Sequence, residues 1–411
     1  MALVGELELQ SFDYTDPGLK GERFHTAMRE LAAQGWLVAG PYGYVVLDRE
    51  AGEFFLRTRS AIFPGMKIAE LFDVSEGPLW EEMKRNILHI NGADHTRLRS
   101  LVNPALTPRA VERWRPAMRV FLEELFVAVE TAGCCEFVGA FAKPYPSQTI
   151  ATVMGAPLED APRLHYWSNW IQRQFDAASM MNERPGIEQA VEEFYEYARA
   201  LLAARRENPG DDLISTLLAA EEQGDRLSEE ECVNLVLNVL IGGVDTTQSQ
   251  LAHAVRLLAE HPDQWAALVE DPSLAGRAVE EALRYEPITP FTARITVEDL
   301  TYREVTFPKD TIVMVCAFTG NRDLPEGEHG GAGDGEAERF DITVERPKAR
   351  ALTFGAGVHY CLGANLARLE LEEGLSFLAR KMPRLELDGE PVFESILGIY
   401  GLAELPIRFG A

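Results

Sequence analysis

The decapeptide Phe354-Gly-Ala-Gly-Val-His-Tyr-Cys-Leu-Gly363 stands immediately before Ala364-Asn-Leu-Ala-Arg-Leu-Glu-Leu-Glu-Glu-Gly-Leu375, an apolar-periodic segment that reads as a helix. A cysteine at the mouth of a helix sees unpaired backbone N–H groups and the positive end of the helix dipole, and both favour thiolate over thiol. Such a thiolate can ligate a metal. Gly355 and Gly357 permit a tight approach in which backbone N–H groups reach the sulfur, a device that tunes metal–thiolate potentials. An isolated cysteine before a helix is ordinarily a small buried hydrophobe. The two glycines, His359 and the Cys-Leu-Gly sequence turn the reading toward a ligand.

Upstream, the longest helical pattern runs from Ser228 to Glu260, opening with Ser228 and Glu231 as a capping box and stopping at His261-Pro262. At its centre sits Gly242-Gly-Val-Asp-Thr-Thr247. Each glycine costs about 1 kcal/mol relative to alanine in a helix, and an acid in an apolar stretch adds desolvation. Two readings account for this penalty. One is close helix packing at small residues. The other is a local opening of the helix that makes room for a diatomic ligand and water, with Asp245 and Thr246 relaying protons.

The rest of the chain places these motifs in a mainly α protein with a minor β part. Amphipathic segments lie at about 105–130, 160–180, 187–207, 211–222, 229–260, 274–285 and 363–381. Trp36 to Leu47 reads as two strands around a Gly-Pro-Tyr-Gly turn, and Phe291 to Ala317 holds further β-branched runs. Pro325 to Glu338 carries five glycines and five acids without Lys or Arg, and is expected to be a mobile surface loop. No repeat or Pro/Ser-rich linker divides the chain, so residues 1–411 are read as one domain.

Composition narrows the class. Of 411 residues, 46% are hydrophobic and 25% charged, the balance of a globular protein. Lys+Arg 39 against Asp+Glu 65 leaves −26, the wrong sign for nucleic acid or an anionic membrane surface. Five cysteines form no CxxC pair, and no second Cys/His pair has zinc-ligand spacing. With no leader pattern and no long apolar run, the protein is expected to be cytoplasmic.

The sequence resembles the soluble bacterial cytochrome P450 family: the Phe354–Gly363 decapeptide fits that family's haem-binding loop, three further motifs fall in the expected order, and the resemblance covers nearly the whole chain. The resemblance implies a triangular, mostly helical prism and makes Cys361 the axial ligand of haem b. Asp245 becomes the proton gate and Thr246 the hydroxyl of the oxygen-activation motif, with Thr247 a bystander. Glu281-Ala-Leu-Arg284 becomes a buried structural pair, completed by Arg339, that braces the Cys361 loop. Propionate ligands are implied at His95 and Arg99, which stand at i and i+4, at Arg294 and at His359. In soluble members the stretch matching Leu324 to Glu338 is usually shorter, and Thr-Tyr-Arg-Glu (301–304) stands where a glycine turn is common.

The implied activity is a monooxygenase that splits O2, inserts one oxygen atom into a lipophilic small organic substrate by hydroxylation or epoxidation, and reduces the other to water. Apolar residues in the segments that match substrate-contacting regions include Phe63, Met66, Phe72 and Trp80; Trp167, Trp170, Phe175, Met180 and Met181; Ile288 and Phe291; Ile396 and Leu397. With no GxGxxG fingerprint, electrons are expected from an external ferredoxin and its reductase. Arg97, Arg99, Arg109, Arg113 and Arg115 against Asp94 and Glu112 make a local +3 for that partner. The rivals are the same fold running aryl coupling or desaturation, and a non-catalytic haem gas sensor.

Overall fold

The computed structural model describes residues 1–222, 227–323, 336–345 and 351–410. Of the expected loop 325–338, only the 3-10 turn Glu336–Glu338 falls within them; residues 325–335 lie outside the described residues. The chain is mainly α with small sheets, the expected class. It forms two compact units: Met1–Pro64 with His253–Cys361 and Pro391–Ala403, and Gly65–Ala252 with Leu362–Glu390 and Glu404–Ala411.

The first unit is built on a five-stranded sheet in the order Leu37–Gly40, Gly43–Val46, Ile312–Cys316, Phe291–Thr296, Ala61–Ile62. The first two strands are the expected hairpin, with Leu37 opposite Val46 and Gly40 opposite Gly43. Gly43 has φ +135°, and a Cβ there would lie 2.2 Å from the Ile312 carbonyl oxygen, so no other residue fits the turn. Alternation along the strands sends Val46, Val313 and Val315 into a cluster with Phe55 and Phe307. Val45 and Cys316 go into a second cluster with Phe24, Phe318 and Tyr400. A one-residue slip would exchange the two faces, so the two clusters together specify register.

In the same unit, the Ala275–Tyr285 helix carries Glu281 and Arg284, 3% and 6% exposed. Their bond is bidentate, Nε to Oε2 at 2.7 Å and Nη2 to Oε1 at 2.8 Å. Arg284 also donates to the carbonyls of Ala337 and Arg339, and Glu281 accepts from the Asp341 N–H. Arg339 therefore joins the pair through its backbone carbonyl. Between Glu281 and Arg284, the Leu283 carbonyl accepts from the Thr353 hydroxyl, and Asn321 ties Thr353 to the Leu352 N–H. This tethers the helix to the turn that leads into Cys361.

The second unit is helical, with a three-stranded sheet in which Pro406–Arg408 pairs with both Cys134–Glu136 and Glu386–Leu387. The long helical pattern expected over 228–260 is two helices, Glu229–Gly243 in this unit and Asp245–Glu260, which begins in it and runs past Ala252 into the other, interrupted at Val244. The expected capping box is present: Ser228 Oγ accepts from the Glu231 N–H at 3.2 Å, and Glu231 Oε2 accepts from the Ser228 N–H at 2.8 Å. No helix among the described residues is long and apolar enough to cross a membrane.

Candidate functional site

Arg294, His359 and Cys361 belong to the first unit; His95, Arg99, Asp245 and Thr246 belong to the second. Cys361 follows two tight turns. Gly355 and Gly357 have φ +68° and +72°, a region in which only glycine is unstrained, and a Cβ on Gly357 would meet the Leu56 carbonyl oxygen at 2.5 Å. The Cys361 N–H returns to the Phe354 carbonyl at 2.9 Å, which closes the loop and leaves the cysteine half-buried three residues before the Ala364–Lys381 helix. His359 lies on the Gly357–His359 3-10 turn of the same loop.

Arg294 sits on the Phe291–Thr296 strand and is 3% exposed. Its Nη1 donates to the Ala293 carbonyl at 2.8 Å, and no carboxylate among the described residues is paired with it. Burial, with no anion to offset it, pushes the guanidinium down to about 10. A buried cation in this state calls for an anionic partner. In the second unit, His95 and Arg99 lie one turn apart on the Gly92–Val102 helix. His95 is buried, and its pKa is lowered by burial and by the Arg99 charge.

The interruption at Val244 separates the two readings of its glycines. A Cβ on Gly243 would lie 2.3 Å from Ile150 Cδ1, so this glycine is a close-packing residue. A Cβ on Gly242 would meet nothing within 4 Å, and Gly242 is exposed although Leu240, Ile241 and Val244 beside it are buried. Thr246, one turn on, is half-buried, and its hydroxyl donates to the Gly242 carbonyl at 2.6 Å. Gly242 and Thr246 thus form an open face at the break between the two helices, among neighbours that are mostly buried.

Asp245 points elsewhere. It is 5% exposed, and its carboxylate accepts from the Ser168 hydroxyl and, at 3.3 Å, from Asn169 Nδ2. Burial raises its pKa; the Ser168 bond, the nearby His165 and the Asn169 bond act against that rise. The acid and the alcohol are sequence neighbours whose side chains hold different partners. Ser168, Asn169 and His165 carried no sequence signal, because the Ala161–Gln172 helix lies some 76 residues away and nothing local marks which of its polar groups turn inward.

Many of the apolar residues singled out by the sequence are core. Met66, Phe72, Trp80, Trp170 and Met180 pack with Leu79, Met83 and Ile187, while Phe291, Ile396 and Leu397 pack around Phe24 and Tyr400. Met181 is 64% exposed. Among the described residues no group of three His, Cys, Asp or Glu is arranged to hold a metal ion.

A family model described as Cytochrome P450 matches residues 36–381. The chain is 34% identical over 405 residues to the luteothin monooxygenase of Streptomyces thioluteus, covering 98% of this chain and 97% of that one. It is 35% identical to the vitamin D(3) 25-hydroxylase of Pseudonocardia autotrophica, covering 77% of this chain and 76% of that one. The crystal structure of CalO2 superposes with a TM-score of 0.88 at 30% identity, over 98% of this chain and 99% of that one.

Proposed function

The chain belongs to the cytochrome P450 family, whose members bind haem b through a cysteine thiolate and act as monooxygenases, and on that premise we propose the roles of its individual residues. Cys361 is the thiolate ligand; Arg294, Arg99, His95 and His359 hold the propionates. Three features fit the group: the glycine-shaped loop at Cys361, the buried Arg294 without a carboxylate, and the open Gly242–Thr246 face. Haem b, when bound, supplies the oxygen-activating chemistry, and electron density from the thiolate favours O–O cleavage. Thr246 presents a hydroxyl at the open face, its proton directed to the Gly242 carbonyl and its lone pairs left to accept. Asp245 holds and releases the proton that the reaction consumes.

The two units act as one catalytic domain, a reading supported by a single family model that runs across both. The substrate is a lipophilic small organic molecule that undergoes hydroxylation or epoxidation. Relatives named for luteothin and vitamin D(3) support an organic substrate. Electrons come from a ferredoxin and its reductase in the cytoplasm. The observation that carries a turnover enzyme over a gas sensor is the broken helix itself: an open face with a hydroxyl, backed by a buried acid, is proton-handling equipment that ligand sensing does not require.

The reduced, CO-bound protein tests the thiolate. A strongly red-shifted Soret band is expected in the wild type and is lost in Cys361→His. A wild-type spectrum like that of a histidine-ligated globin would overturn the assignment.

A further inference from the structure

Two contacts join the Ala161–Gln172 helix to the Asp245–Glu260 helix beside the break at Val244. Ser168 and Asn169 hold Asp245; one turn along both helices, His165 Nε2 meets Gln248 Oε1 at 3.0 Å. Ser168 is fully buried, and its hydroxyl hydrogen is committed to Asp245 Oδ2. Asn169 is oriented in turn: its Oδ1 accepts from Arg173 Nη2 at 3.2 Å, and Arg173 pairs with Glu183 at 2.8 Å. A serine at a fully buried position between Trp167 and Trp170 adds little to packing that alanine would not. Its hydroxyl is explained by the carboxylate it serves.

From this arrangement we infer that Ser168 is a positioning residue for proton delivery, holding the Asp245 carboxyl in place and keeping it able to ionise; the inference rests on the proton-handling role given to Asp245 above. A buried carboxylate depends on its donors, and removing one leaves an uncompensated anion. Without the Ser168 hydroxyl, Asp245 retains the 3.3 Å bond from Asn169 and the influence of His165. The Pro144–Met154 helix, which packs on the Glu229–Gly243 helix, brings no acid or basic side chain and only one titratable group, Tyr145. The carboxyl therefore binds its proton more tightly and gives it up more slowly.

The test uses haem-loaded wild type, Ser168→Ala, Ser168→Thr and Asp245→Asn. The protonation of Asp245 is followed as the infrared carboxyl band that Asp245→Asn abolishes. Turnover is followed as NADPH oxidation, with a plant-type ferredoxin and its reductase and no added substrate, from pH 6 to 9 in H2O and D2O. In Ser168→Ala the Asp245 band is expected to titrate about one pH unit higher, and oxidation at pH 7 to be about tenfold slower, the factor equivalent to one pKa unit. A larger solvent isotope effect should accompany it. Ser168→Thr, which restores a hydroxyl, should return all three toward wild type. If Ser168→Ala matches wild type while Asp245→Asn is slow, the inference about Ser168 is wrong and the role of Asp245 stands. If Asp245→Asn itself matches wild type, the proton-handling role falls and the inference with it.

Discussion

Glu82 is completely buried on the Gly77–Arg85 helix, and burial pushes its carboxyl up from 4.5 to about 7. Its Oε1 accepts from Asn86 at 2.6 Å, and the bonds from Asn86 and Gln174 act against the rise without cancelling it. Asn234, on the helix that leads to the Val244 break, reaches the Glu82 carbonyl at 3.5 Å and the Tyr195 hydroxyl at 2.9 Å. The folded protein thus holds this proton more tightly than the unfolded chain does. Its stabilising contribution is complete below about pH 4.5 and is lost as pH rises through about 7. A shift of this size corresponds to about 3 kcal/mol. Glu82→Gln should remove that pH dependence and leave the protein more stable than wild type at pH 8, by about 1–3 kcal/mol. Urea unfolding at pH 5 and pH 8 checks this; parallel losses in both proteins would mean that Glu82 remains ionised throughout.

At the scale of the element, the helix pattern ending at Glu260 behaves as two helices because its two central glycines do different work. Gly243→Ala forces a methyl against Ile150 and is expected to destabilise the protein by about 1–3 kcal/mol. Gly242→Ala meets no neighbour and gains helix propensity, so about 1 kcal/mol of stabilisation is expected. The same methyl enters the open face, and CO should bind the reduced variant severalfold more weakly. Chemical unfolding with CO titration separates the two sites. Equal destabilisation with unchanged CO affinity would make both glycines packing residues. The hairpin Leu300–Tyr302 to Val305–Phe307 shows a related substitution of means. Arg303 and Glu304 take φ +47° and +66°, where glycine is usual. Arg303 offsets this by ion-pairing with Asp48 and Glu50 and lying over the Trp36 ring.

For the whole molecule, a charge of −26 opposes an acidic redox partner at long range, so docking depends on local cations. The local +3 counted along residues 94–115 does not survive folding. Arg97 pairs with Glu231, Arg113 with Asp211 at 2.5 Å, and Arg115 with Glu112 and Glu373, acids mostly distant in sequence. Arg109 is exposed on the short Pro108–Val111 helix, and no carboxylate among the described residues pairs with it. Charges beyond about 8 Å are largely screened at physiological salt. Arg109→Glu is therefore expected to slow reduction by ferredoxin more than Arg113→Glu does, without changing substrate affinity, and rising salt should shrink the difference. Stopped-flow reduction at several ionic strengths measures it. Equal, wild-type rates in both variants would place the partner elsewhere.

The sequence by itself determined what depends on neighbours along the chain. The Ser228–Glu231 cap, the Leu37–Val46 hairpin, the Glu281–Arg284 pair and the positive-φ glycines before Cys361 all draw their energy from groups a few residues apart. Short-range periodicity and turn chemistry report such features directly. Even the penalty at Gly242–Thr246 was legible as a conflict between local propensity and composition. Tertiary structure alone decided which glycine packs and which lies open, that Asp245 is held by Ser168 and Asn169, and that three of the five basic-patch arginines meet acids brought to them by the fold. These outcomes rest on pairings across tens to hundreds of residues. A side chain's burial and charge environment are set by whatever the fold places opposite it, and no local window of sequence contains that partner.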